Sequence, residues 1–140
     1  MVTGAIAAIG CKLQIGATDI VEVTNISGPS LTLETVDVTN HSSTEAWKEY
    51  CATLLDMGEV TFDISYIPTT ATHKNTAATG LIGILVSRVV AAFGIHWSDV
   101  GATEWTFNAF VTKFTPSAPV ADKLSAAVTL KITGKYTALA

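Results

Sequence analysis

The stretch "SLTLETVDVTNHSSTEAWKEYCATLL", residues 30–55, decides how the rest of the chain is read. Its first ten residues read as a strand over 30–39, because Leu, Thr and Val recur between polar residues. A polar corner follows, in which Ser42 or Thr44 can cap a helix and Ser42 with Glu45 fits a reciprocal capping box. Trp47, Tyr50, Cys51, Leu54 and Leu55 then fall on one helical stripe, with Lys48, Glu49 and Thr53 opposite and Gly58 placed to stop it. The expectation is a helix over about 44–55, lying flat on a sheet through Trp47, Tyr50, Cys51 and Leu54. As a core residue, Trp47 replaced by alanine should cost about 3–5 kcal/mol.

Working outward, strand signals dominate, near 11–16, 19–27, 58–67, 89–97, 104–115 and 123–134. In "GEVTFDISYI", residues 58–67, Val60, Phe62, Ile64 and Tyr66 share one face, and Glu59, Thr61, Asp63 and Ser65 share the other. One face belongs to a core and one to water. "KLSAAVTLKITGKY" repeats the pattern, with Leu124, Ala126, Val128, Leu130 and Ile132 inward. The predicted fold is mostly β: an antiparallel sandwich, barrel-like, with one flanking helix. A short second helix is expected over about 70–79, where "TTATHKNTAATG" opens on a threonine cap and closes on Gly80; the pattern does not fix whether it extends into 81–87. Pro116 and Pro119 predict an unpaired loop in "TPSAPVAD".

At 140 residues the chain suits a single domain with one core, preceded by a flexible segment over 1–10. Charged residues make up only 14% and mean hydropathy is +0.42, which suggests apolar surface held against partners. With 8 basic and 12 acidic residues the net charge is −4, so electrostatic grip on nucleic acid or an anionic membrane is not expected. Cys11 and Cys51 are too few for a disulfide scaffold and read as buried thiols. The N-terminal run lacks the basic start of a signal peptide, and the apolar tract 81–97 carries Arg88 at its centre and does not span a bilayer.

Chemistry is sparse. His41, His73 and His96 have no companion ligand at metal-site spacing, no nucleophile elbow is present, and the glycines match no phosphate loop. Glu59 and Asp63 share a strand face, which alternate acids on a wet face do without catalysis. Catalytic residues, cofactor and metal are therefore all expected to be none. Trp97 and Trp105 flank the turn at 98–103 and offer the one alternative, an aromatic platform in a carbohydrate- or receptor-binding module.

The order of segments then matters. "SGPSLTLETVDVTNHSSTEAWKEYCATLLDMGEVTFDISY" resembles the signature region of lambda-type siphophage major tail tube proteins, and "WTFNAFVTKFTPSAPVADKLSAAVTLKITGK" is similar to that family's closing strands. The resemblance covers Cys11 to Tyr136; Met57, where a second glycine is frequent, and the more apolar 81–97 depart from it. It implies a fold similar to the type VI secretion tube protein, with subunits in rings, commonly of six, stacked into a virion tail tube through which DNA is ejected. It also implies partners: further copies, and the tape measure, terminator and tail tip proteins, with assembly in the host cytoplasm. No C-terminal immunoglobulin-like domain is expected. Glu59, Thr61, Asp63 and Ser65 are the candidate channel lining, the outside of the tube being the other place this face could lie. Thr69, Thr70, His73 and Lys74, with Pro116, Pro119 and Asp122, are candidate contacts between rings.

Overall fold

The computed structural model describes residues 4–76 and 79–139. Seven strands form one antiparallel path: β1 (Lys12–Ile15), β2 (Thr18–Asp19), β3 (Val23–Ser27), β6 (Glu59–Ser65), β7 (Ala91–His96), β8 (Glu104–Ser117) and β9 (Ser125–Ile132), in the order β2-β1-β7-β8-β9-β6-β3. A short β10 (Ala138–Leu139) also pairs with β8. Two more strands, β4 (Thr32–Asp37) and β5 (Tyr50–Asp56), pair only with each other. Among the described residues there is one α-helix, α1 (Leu81–Ser87), which packs on β8 with Leu81, Gly83 and Ile84 buried, Gly83 lying against the backbone of Thr76.

The β6–β9 register is set by alternation: Val60, Phe62 and Ile64 stand opposite Leu130, Val128 and Ala126, all buried. A one-residue slip would put Glu59, Asp63 and Lys131 into the core, so the pattern admits one pairing. The long β8 joins two regions, pairing with β7 over 104–109 and with β9 over 109–117. A register shift between Val111 and Lys113 marks where it changes neighbours, as bulges do at bends. The sheet thus wraps a single apolar cluster in which Phe62, Phe93, Phe107 and Ile95 are essentially inaccessible.

Mostly antiparallel β structure holds, but the helices lie elsewhere. Residues 44–55 form no α-helix: Thr44–Ala46 is a single 3₁₀ turn, Glu45 and Ala46 have positive φ of 53° and 62°, and 50–56 is strand. The capping box does not form, since Ser43 Oγ bonds Glu49 Oε2 at 2.6 Å and Asn40 Oδ1 accepts from Ser42 N–H at 2.8 Å. Such side-chain-to-backbone bonds compete with helix, and here they build a wide hairpin turn. Trp47, Tyr50, Cys51 and Leu54 therefore pack on no sheet: all are exposed, Trp47 to 72%, and the expected core cost of its removal does not apply. Over 70–76 the chain makes turns rather than helix, and residues 77 and 78 lie outside the described ones.

Gly58 is not a helix stop but a hinge of the hairpin. At φ +71° its missing Cβ would sit 2.8 Å from the Ser30 carbonyl oxygen, and Gly28, at φ +99°, faces the Glu59 carbonyl at 2.5 Å. Only glycine lets the two legs pass this closely in left-handed geometry. Pro116 falls inside β8, opposite Ala126, where the strand's other side has no partner and a missing N–H is tolerated. Leu124 precedes β9 and is exposed rather than inward.

Candidate self-assembly surfaces

Three surfaces are unusual for an isolated subunit, and the first is the β4–β5 hairpin. Its register pairs Leu33 with Leu55 and Asp37 with Tyr50, and beyond an irregularity between Leu33 and Thr35 it pairs Val36 with Cys51. Every residue of both strands is exposed. A two-stranded hairpin is marginal by itself in water, and this one presents Leu33, Val36, Trp47, Tyr50, Leu54 and Leu55 to solvent. Its turn is locally well built, with Thr39 N–H on Asp37 Oδ1 and Glu49 N–H on Thr39 Oγ1, each at 2.8 Å. The Thr39 hydroxyl foremost, and then the Thr39 N–H, hold the Asp37 carboxyl below its ordinary range. Cys51, expected buried, is exposed on this arm, and Cys11 is half-buried.

Charge is concentrated on the same segment. Glu34, Asp37, Glu45, Glu49 and Asp56 stand against Lys48 alone, so residues 31–56 carry −4, the formal charge of the whole chain. The remainder is neutral, seven acids balancing seven bases. Among the described residues the Lys12–Asp19 ion pair at 3.8 Å and the contact of His96 Nε2 with Glu104 Oε1 at 3.3 Å involve no hairpin group. This concentration is readable from sequence, and with the strand-like run 50–56 it is the signal that the helical reading obscured.

The second surface is backbone. β3 ends the path of strands, and β8 beyond residue 109 is paired on one side only, so the four-stranded stretch formed by 110–117, β9, β6 and β3 has two open edges. Unpaired edges are association sites unless blocked. The third surface is the outer face of that stretch. Glu59, Thr61 and Asp63 are exposed on it and Ser65 is half-exposed, opposite Lys131, Thr129, Ala127 and Ser125 respectively. Asp63 and Lys113 border a shallow depression of about 240 Å³ beside Thr61 and Thr129. The face is polar and charge-balanced, small in side-chain relief, and not acidic overall.

The strand ends locate the loops. Ser65, Ser125 and Ser117 meet at one end of the stretch, so the turn 118–124 and the loop after Ser65 share that pole. The hairpin leaves from the other, beside Ser27 and Glu59. Thr69, Lys74, Pro116, Pro119 and Asp122 are exposed at the first pole and Thr70 half-exposed. His73 is not available there: it is fully buried, its Nδ1 accepting from Ile67 N–H at 3.2 Å and its Nε2 on the Val21 carbonyl at 2.8 Å. The imidazole ties the loop to the entry of β3. Sequence reading missed it because nothing local marks a histidine whose partners lie 6 and 52 residues away.

Trp97 and Trp105 do come together, with ring centroids 5.4 Å apart, but at 87° to each other and with Trp97 against the core. An edge-to-face pair gives no flat platform for a sugar. Among the described residues no three His, Cys, Asp or Glu side chains converge, and no helix is long and apolar enough to cross a membrane.

Comparison with known proteins bears on these surfaces. The family model described as lambda phage tail tube protein matches residues 13–139. A search of curated protein sequences found no match. Among solved structures, a chain of the virion of a native gene transfer agent particle superposes with TM-score 0.75 at 15% identity, covering 96% of this chain and 100% of that one. A chain from the tail of an empty gene transfer agent particle, refined with C6 symmetry, gives 0.69 at 17%, covering 93% and 94%. One from the 6-fold symmetrised baseplate of the anti-feeding prophage gives 0.66 at 14%, covering 96% and 95%.

Proposed function

The chain belongs to the lambda phage tail tube protein family and is a structural subunit of a tail tube, and we propose that its three surfaces are the parts with which it builds that tube. Copies close into a ring by apposing β3 of one to 110–117 of the next, which removes both open edges at once. Rings stack head to tail. Four strands from each of six copies would give a barrel of about 24, and barrels beyond about 16 strands enclose an aqueous channel. The six-fold particles among the structural matches support that number.

The outer face of the four-stranded stretch, with Glu59, Thr61, Asp63 and Ser65, lines the channel. Every phosphate contact adds sequence-independent affinity through counterion release, so a wall with acids and lysines in balance lets DNA pass without holding it. Heterologous stacking needs complementary ends. The hairpin leaves one pole, while 69–74 and the turn with Pro119 and Asp122 occupy the other, so these loops face the ring from which a hairpin arrives. The subunit's work is done by shape rather than turnover, in the virion tail, beside a tape measure inside the tube and terminator and tip proteins at its ends.

The observation that carries this reading is the hairpin, an arm with apolar side chains on both faces and, among the described residues, no layer over either. Light scattering and negative-stain microscopy of the purified protein test it. Rings or hollow tubes of uniform width are expected at raised concentration. A monodisperse monomer under every condition, including added tail tip complex, would contradict it.

A further inference from the structure

Outside the hairpin, one place on the described surface gathers exposed large apolar side chains. Val86, Val89 and Val90 stand together where α1 gives way to β7, each 44–59% exposed, and no other five-residue stretch among the described residues outside the hairpin carries three. Beside them a shallow groove of about 220 Å³ runs between Val89, Val90 and the β1–β2 turn at Ile15 and Gly16. Arg88 sits in the middle. It is the chain's sole arginine, ends α1 in left-handed geometry at φ 60°, is exposed, and makes no ion pair among the described residues.

An apolar shelf holding one uncompensated guanidinium complements an apolar arm that carries −4. Of the cations outside the hairpin, Lys12 pairs with Asp19, Lys131 stands opposite Glu59, Lys113 shares a depression with Asp63 and Lys135 lies over the Tyr136 ring, while Lys74 and Lys123 are exposed on loops that lack such a run of exposed valines. A guanidinium among valines engages a carboxylate at short range as water is excluded, and it does so in a two-pronged geometry that a lysine does not offer. We propose that the α1–β7 shelf is the seat of the β4–β5 hairpin of a second copy, with Arg88 against a hairpin carboxylate. Within one subunit α1 packs on β8, and the hairpin strands pair only with each other. The inference rests on the tube reading and adds to it the address of the arm.

Cys51 is a natural reporter because it lies exposed on the hairpin, paired with Val36. In a Cys11→Ser background, Val89→Cys puts a second thiol on the shelf. Oxidation of assembled tubes is expected to give a ladder of covalent multimers on a non-reducing gel, absent from tubes with Cys51 alone and from dilute subunits. A companion protein with Cys51→Ser, Leu33→Cys and Val89→Cys reports the hairpin's opposite face. Tubes that form normally while neither face couples to position 89 overturn the proposal and leave the tube reading intact; a protein that never assembles overturns both. Arg88→Glu should raise the concentration needed for assembly at least tenfold, and Arg88→Lys less, with subunit melting unchanged in each. If Arg88→Glu protein assembles as the parent does, the guanidinium is not part of the seat.

Discussion

Replacing Leu55 with alanine separates folding from assembly. In the subunit Leu55 is 82% exposed, so its loss removes little buried area and should change the free energy of unfolding by less than about 0.5 kcal/mol, as exposed substitutions do. That corresponds to a shift in melting temperature of about 2 °C or less. On the proposed seating the tube covers the same side chain, and the difference between burying leucine and alanine is about 2 kcal/mol. At about 1.4 kcal/mol per tenfold, the concentration at which tubes appear should rise roughly 30-fold. Sedimentation of assembled material against a concentration series measures the second quantity, and circular dichroism melting at low concentration the first. A large drop in melting temperature would place Leu55 in a core the subunit makes for itself. An unchanged assembly threshold would mean that nothing covers the hairpin there. Either result refutes the reasoning.

Other consequences are independent of that one. His73→Leu leaves the Val21 carbonyl and the Ile67 N–H without their partner in a buried setting, and urea unfolding should show a loss of about 2–4 kcal/mol. Asp99 is held below the ordinary carboxylate range by the Thr103 hydroxyl and then by the Thr103 N–H. A depressed folded value means this contribution is present above the unfolded carboxylate's pKa and disappears as pH falls through the folded one. NMR titration should therefore show the Thr103 amide leaving its bonded position only below the usual carboxylate range, and Asp99→Asn should abolish that step. Glu59→Lys with Asp63→Lys tips the balanced face to positive; tubes of this variant should retain double-stranded DNA at low salt and release it at high salt, whereas parent tubes retain none in a filter-binding assay.

How far the sequence could be read depended on how much each segment's fate was local. Alternation in 58–67 and 123–134 predicts β6 and β9 nearly to the residue, because a strand buried on one face writes that face into every second position. Residues 44–55 fail for the opposite reason. An apolar run such as Tyr50–Leu55 fits a helical stripe and a strand equally, and the choice is made by pairing with Thr32–Asp37 across a turn. The polar corner in which Ser42 or Thr44 suggested a helix cap is closed as a turn instead, through Ser43 Oγ and Asn40 Oδ1. Helix α1 hides in an apolar tract where periodicity says little, and its identity comes from packing Leu81 and Ile84 on β8. The wet face of β6 was legible from Glu59, Thr61, Asp63 and Ser65. The arm was not, because exposed leucines mimic core when only spacing is considered.

Amide hydrogen exchange on dilute subunits and on assembled tubes addresses the central claim most directly, since it reports the backbone groups that other copies are said to complete. The amides of 23–27 and 110–117 that face away from β6 and β9, and those of both hairpin strands, should exchange fast in the subunit and become protected together on assembly. Contradiction would be an assembled particle in which those segments exchange as they do in the free protein.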